Sequence, residues 1–262
     1  MSHGTLDVRR EGAVDWLTLD RPQQLNAIND LMIAELWEYF AGLQQDHGRR
    51  IVVLRGAGRA FCAGLDLKAE ALGEGALSDA GGSTLRGVVG MMRSCPQPII
   101  ALVHGAACGG GMSFALAADI RIAGASAKMN VAYVKLGLTG CELGTSFHLP
   151  RTVGPSVAAE LMMTGRFIHA DRALATGLVS EVVPDACLED AARALTADML
   201  RTSPMGLRET KETLNLAMRL NDLDAVLRLE EHVQAECMQG PDFAEAISAF
   251  SEKRDPVFAL PS

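Results

Sequence analysis

The sequence predicts a mixed α/β domain with a parallel, crossover-connected core and a helical C-terminal region. Two apolar strand patterns, Ile51-Val52-Val53-Leu54-Arg55 and Pro98-Ile99-Ile100-Ala101-Leu102-Val103, are separated by helical or irregular chain, as parallel strands joined by a crossover require. Each runs into a turn of small residues, 59–67 after the first and 104–111 after the second. Beyond Pro184 the apolar spacing is helical almost to the end.

Taken from the start, Val14-Asp15-Trp16-Leu17-Thr18-Leu19 alternates as a strand does. Asp30 is expected to cap a helix with Ile33, Leu36, Trp37 and Phe40 on its apolar side. Residues 68–83 are rich in Gly, Ala, Glu, Ser and Asp and read as a surface loop, either a lid over a substrate entrance or a passive connection. The glycine triplet 109–111 opens Met112-Ser113-Phe114-Ala115-Leu116-Ala117, a tight turn entering a buried helix. Later helices are expected at 188–202, 207–217, 223–237 and 244–251, so 1–200 is assigned to the core and 201–262 to a helical C-terminal region.

Composition narrows the function. The 262 residues can bury a substantial core, and 24 basic against 32 acidic residues leave a net charge of −8, which argues against a general nucleic-acid or membrane-surface binder. The first seven residues lack the basic start and apolar core of a signal peptide, and no segment has the roughly 20 apolar residues that span a bilayer. Six cysteines in apolar or glycine-rich contexts, without a Cys-x-x-Cys pair, read as reduced core thiols of a cytoplasmic protein. His104 and His148 have no partner at metal-ligand spacing, and Gly56-x-Gly58 lacks the third glycine of a dinucleotide fingerprint, so neither a metal nor a permanently bound cofactor is expected.

What remains is the pair of small-residue turns. Glycines let backbone approach a ligand closely, and the first turn of a helix leaves N–H groups without partners. Either the two turns supply converging backbone donors for an anion or oxyanion, or the glycines serve close helix packing.

At these residues the chain resembles the crotonase superfamily, the enoyl-CoA hydratase and isomerase family. The motifs follow in family order: Arg21-Pro22 with Leu25-Asn26-Ala27, Phe61-Cys62-Ala63-Gly64-Leu65-Asp66-Leu67, His104 to Gly111 with Ala118-Asp119, Leu149-Pro150-Arg151, Thr164-Gly165-Arg166, Ala175-Thr176-Gly177-Leu178-Val179, and Phe250-Ser251-Glu252-Lys253-Arg254. The resemblance implies a ββα spiral core with a C-terminal helical oligomerisation region, assembled as trimers or as dimers of trimers. It implies an acyl- or enoyl-CoA thioester as substrate, with coenzyme A present only as part of it. The oxyanion donors fall on the backbone of Leu65 and Gly110, which stabilise charge on the thioester oxygen. Ala60, Phe61 and Ala63 match the segment that lies along CoA, while Lys68, Lys253 and Arg254 are candidates for its phosphates. Asp66 is read as stabilising its turn.

The acid and base depart from the family pattern. Hydratases of the family hold water with two glutamates, and the matching positions here are Ser113 and Tyr133. The remaining acidic candidate is Glu142, which resembles in position an aspartate that moves protons in dienoyl-CoA isomerases. Its rival role is a charge at a helix start. Ser113 and Tyr133 are then substrate-pocket residues, and the apolar segment 88–92 lines or supports the acyl pocket. Two other readings stay open: a non-catalytic acyl-CoA binder, and a serine hydrolase built on Gly111-x-Ser113.

Overall fold

The computed structural model describes residues 4–67 and 84–259. The expected lid and Lys68 lie outside them.

A hairpin of β1 (Leu6–Glu11) and β2 (Val14–Leu19) leads through a 3-10 turn at 22–24 into α1 (Asp30–Leu43) and β3 (Ile51–Gly56). Then come α2 (Leu85–Ser94), β4 (Ile99–Val103), β5 (Ala106–Cys108), α3 (Gly110–Ala117), β6 (Ile120–Gly124) and β7 (Lys128–Asn130). The second half holds α4 (Thr145–Val153), α5 (Pro155–Thr164), β8 (Ile168–His169), α6 (Ala170–Ala175) and β9 (Glu181–Val183). It closes with α7 (Leu188–Leu200), α8 (Pro204–Ala217), α9 (Leu223–Gln239) and α10 (Pro241–Glu252). None of the described helices is long and apolar enough to cross a membrane.

The main sheet has the order β1-β2-β3-β4-β6-β9, antiparallel between β1 and β2 and parallel thereafter. Its central strands are buried on both faces, which is why β3 and β4 read as apolar runs. Leu17, Val52, Leu54, Ile99 and Ala101 face α1, α2 and α3, whereas Trp16, Val53, Ile100 and Ile122 face Leu188 and Ala192 of α7. A smaller sheet, β5-β7-β8, stands beside it.

Local chemistry sets the element boundaries. The cap of α1 is Asn29, not Asp30: the Asn29 side chain accepts from the Met32 N–H at 3.0 Å, and Asp30 occupies the first turn. Trp37 of α1 lies against Gly87 of α2, where a Cβ would come within 2.3 Å of the indole. Cys62 and Cys95 are buried as expected, but Cys141 and Cys187 are exposed, because both sit in surface turns.

Of the C-terminal helices α7 and α9 begin at the expected residues, whereas α8 and α10 begin earlier, at Pro204 and Pro241, because proline fits the first turn of a helix; α8 is tied into the core. Lys211 is buried and donates to the carbonyls of Met92 (3.0 Å) and Gln97 (2.9 Å), at the junction of α2 and β4. It also pairs with Asp119 at 2.9 Å, and the same carboxylate holds Arg93 at 3.1 Å. By contrast α9 has no buried residue, and Leu223, Leu227, Ile247 and Phe250 of α9 and α10 are exposed.

Candidate active site

The two small-residue turns meet. Cys62 N donates to Ala106 O (3.0 Å), Cys108 N donates to Cys62 O (2.9 Å), and Phe61 N donates to His104 O (2.8 Å). Gly64 has φ +91°, and a Cβ there would stand 2.7 Å from Cys108 O and 3.5 Å from Gly110 N. At Gly111 a Cβ would stand 2.2 Å from Cys62 O. Glycine is therefore required on both sides of the contact.

Among the described residues, hydrogen bonding leaves backbone amides without acceptors on each turn, those of Leu65 and Gly110 included. Ile28 N donates to Gly64 O and Asp66 N donates to Ile28 O, both at 2.8 Å, so the residues flanking Leu65 are paired with Ile28. The Leu65 N–H faces away from that bridge and has no acceptor among the described residues. Gly109 N donates to Asn130 O at 3.0 Å, while Gly110, the first residue of α3, has an N–H with no acceptor among the described residues. Both predicted donors are thus available, on turns in contact.

The first turn is held by a hub, Asn26, that sequence reasoning named only as part of a motif and gave no role. Asn26 is fully buried at φ +57°; its Nδ2 donates to the carbonyls of Ala57 (2.9 Å), Ala60 (2.8 Å) and Phe61 (3.2 Å), and its Oδ1 accepts from Arg21 N (2.9 Å). Asparagine tolerates the left-handed region, the only local signal that could have marked it. Arg21 pairs with Asp66 at 2.9 Å and also bonds to Ala27 O, which gives Asp66 its turn-stabilising place.

Among the expected CoA-binding residues, Phe61 is fully buried in the core, so its side chain is packing. Ala60 is buried at one wall of a cleft of about 1260 Å³ that Leu25, Arg59, His104 and Lys128 also line, and Ala63 is half-buried. Lys253 is exposed at the C-terminus of α10.

Around Gly110 the wall is apolar: a Cβ there would meet Ile28 at 2.8 Å, Leu85 at 3.7 Å and Leu143 at 3.9 Å. Of the segment 88–92, Val88 and Met92 point into the core, whereas Val89 and Gly90 line a second cavity of about 910 Å³ with Glu142, Leu143 and His148.

Where the family's glutamates would stand there is a hydroxyl cluster. Ser113 Oγ is 3.0 Å from Tyr133 OH and 3.4 Å from Thr145 Oγ1, and Ser113 is buried. Burial pushes the Tyr133 phenol above its ordinary value, as does the nearby Glu142 charge, against the lowering pull of Ser113. Thr145, 32 residues from Ser113, was not legible as a partner. No imidazole touches Ser113 among the described residues, so a serine nucleophile there has no base. Burial pushes the Cys62 thiol up to about 12, which keeps it protonated.

Glu142 is exposed at the rim of the second cavity, in the turn before α4; it is not enclosed. Its Oε1 accepts from Leu143 N at 3.3 Å and its carbonyl from Thr145 N at 2.9 Å, so it also serves the turn. Leu143 and Gly144 have φ of +49° and +79°, an unusual pair that turns the chain past Gly110.

The profile of the Enoyl-CoA hydratase/isomerase family matches residues 9–260. The probable enoyl-CoA hydratase EchA12 of Mycobacterium tuberculosis is 41% identical over 256 residues, covering 92% of this chain and 88% of its own. The 1,2-epoxyphenylacetyl-CoA isomerase of Escherichia coli is 38% identical over 252 residues, 95% of each chain. The crystal structure of an enoyl-CoA hydratase from Bacillus anthracis superposes with a TM-score of 0.92 at 32% identity, covering 98% of this chain and all of that one.

Proposed function

The chain belongs to the enoyl-CoA hydratase/isomerase family, and from that premise we propose that it is an enzyme that stabilises the enolate of an acyl- or enoyl-CoA thioester between the amides of Leu65 and Gly110. The carrying observation is that these two N–H groups lack acceptors on turns held together by Gly64 and Gly111. Charge that grows on the thioester oxygen meets donors already in place, worth on the order of 10²–10³ in rate for each.

Glu142 is the acid/base of this reading. Its charge reaches Tyr133 and it lines the same cavity as Leu143, and in this reading it takes a proton from one carbon of the acyl group and returns it to another. The hydroxyls of Ser113 and Tyr133 cannot supply the paired carboxylates that position water, so double-bond isomerisation leads and hydration follows. The CoA end lies along Ala60 and Ala63, with Arg59 and Lys128 facing its phosphates across the larger cleft; Lys68 and Lys253 remain further candidates. Exposed apolar side chains on α9 and α10 support a homotrimer or a dimer of trimers. The protein acts as a cytoplasmic enzyme with no permanent cofactor.

The test is a panel of enoyl-, dienoyl- and β-ketoacyl-CoA thioesters with products resolved by mass spectrometry, on wild type and Glu142→Gln. Unchanged mass with a shifted double bond is the expected outcome, and a gain of one water would make it a hydratase. Glu142→Gln should lower kcat by about 10²–10⁴ with thioester affinity kept. Binding without any product would establish the non-catalytic acyl-CoA binder instead.

A further inference from the structure

The cavity of about 910 Å³ beyond Leu143 has a polar wall that thioester chemistry at the two turns does not use. Leu143 belongs to both sites: it stands beside Gly110 and also lines this cavity, so an acyl group extending from the hole past Leu143 enters it. Its floor is Val89 and Gly90 of α2, and no atom lies within 4 Å of a Cβ built on Gly90. His148 of α4 and Arg219, in the turn after α8, also line it.

Charge around these two is unbalanced. Asp119 is the single carboxylate shared by Arg93 and Lys211, both of which line the cavity. Arg121 spends its guanidinium on the carbonyls of Ala115, Ala118 and Leu178, and Arg151 on the Phe147 carbonyl and ring. Among the described residues no carboxylate lies within ion-pair distance of Arg121, Arg151 or Arg219. Burial first, then the field of Arg93, Arg121, Arg151 and Arg219, holds the His148 imidazole down to about 4. A field of the sign that expels a proton attracts an anion.

The cavity is lined by Arg86, Arg93, Arg208, Lys211 and Arg219 against the carboxylates of Glu142, Glu209 and Glu212. Glu142 is at its mouth, and Glu209 and Glu212 line it from the earlier turns of α8, near Arg208 and His47.

We propose that the end of this cavity walled by His148 and Arg219 is a subsite for a carboxylate at the far end of the acyl group, so that the preferred substrates are CoA thioesters of dicarboxylic acids. The His148 ring, packed 3.2 Å from a Cβ position on Gly144, is neutral and offers one N–H donor; Arg219 offers the charge. The inference rests on the thioester reading above.

The test compares 2-enoyl-CoA thioesters of equal chain length ending in a methyl, a carboxylate or a trimethylammonium group, with wild type, Arg219→Gln, and Arg201→Gln as a control whose guanidinium pairs with Asp198 on α7. The carboxylate-ended thioester should exceed the methyl-ended one in kcat/KM by at least about tenfold. Arg219→Gln should remove about tenfold of that ratio, and Arg201→Gln none. A preference for the methyl or ammonium end, or a ratio untouched by Arg219→Gln, overturns the subsite. If no thioester is turned over, the enzymatic reading fails by itself, and the same ratios read as dissociation constants by calorimetry still decide the subsite.

Discussion

Gly64→Ala isolates what the glycine contact contributes to the donor pair. The new Cβ would sit 2.7 Å from Cys108 O, about 0.7 Å inside ordinary van der Waals contact, and both partners are backbone that cannot rotate away. The φ of +91° adds a conformational cost of roughly 1–2 kcal/mol for any residue with a Cβ. Relief must come from moving the turns apart, which takes the Leu65 amide out of place. Losing one oxyanion donor costs on the order of 10²–10³ in kcat, about 2.7–4 kcal/mol. Because the interaction is made in the transition state, kcat and kcat/KM should fall together. Gly137→Ala is the matched control: its φ is +78°, but no atom lies within 4 Å of the added Cβ. It should lose roughly 1 kcal/mol of stability and keep its turnover. Steady-state kinetics on the best thioester of the panel, with urea unfolding of each variant, gives both numbers. Gly64→Ala within about threefold of wild-type kcat would refute the assignment of the donors.

Two further outcomes test the scaffold. Lys211→Met leaves Asp119 with Arg93 alone and leaves the Met92 and Gln97 carbonyls only the weak Cys95 thiol donor, so stability should fall by about 3 kcal/mol in urea unfolding; a loss below about 1 kcal/mol would show that α8 is not anchored there. Hydrogen bonds from Arg193 foremost, and then from Arg9 and Arg55, hold the Glu189 carboxyl down at about 2 against an ordinary 4.5. A depressed carboxylate contributes stability above its unfolded pKa that is lost as the proton returns, so the Tm gap between wild type and Glu189→Gln should be full near pH 6 and close between pH 4.5 and 2. A gap constant across that window contradicts the pairing.

The strands were legible because parallel strands covered on both faces leave unbroken apolar runs, as 51–54 and 99–103 do. The contact between the two turns was legible because glycine marks it at 64 and 111, whereas the proposed donors at Leu65 and Gly110 came from the family resemblance. The cap of α1 slipped by one residue since Asn29 and Asp30 are both capping types, and only the reach to Met32 N separates them. Asn26 escaped because its work is a hub joining residues up to 35 positions away. The departure at Ser113 and Tyr133 was visible as missing carboxylates, but their mutual bond and Thr145 depend on how α3 meets α4. Exposure of Glu142 and the charged cavity beyond it depend on where α8 packs, which no local pattern encodes.

The packing of Trp37 on Gly87 equips the protein with an optical probe. Only two tryptophans are present. Trp16 is sealed in the sheet beneath Arg9, Arg55 and Arg193, far from solvent and covered by fixed cations. Trp37 is half-buried and leans on the helix whose next turn, Val89 and Gly90, floors the cavity beyond Leu143. A ligand that shifts α2 changes the surroundings of one indole and leaves the other as an internal reference, so occupancy can be followed by intrinsic emission in the unlabelled protein.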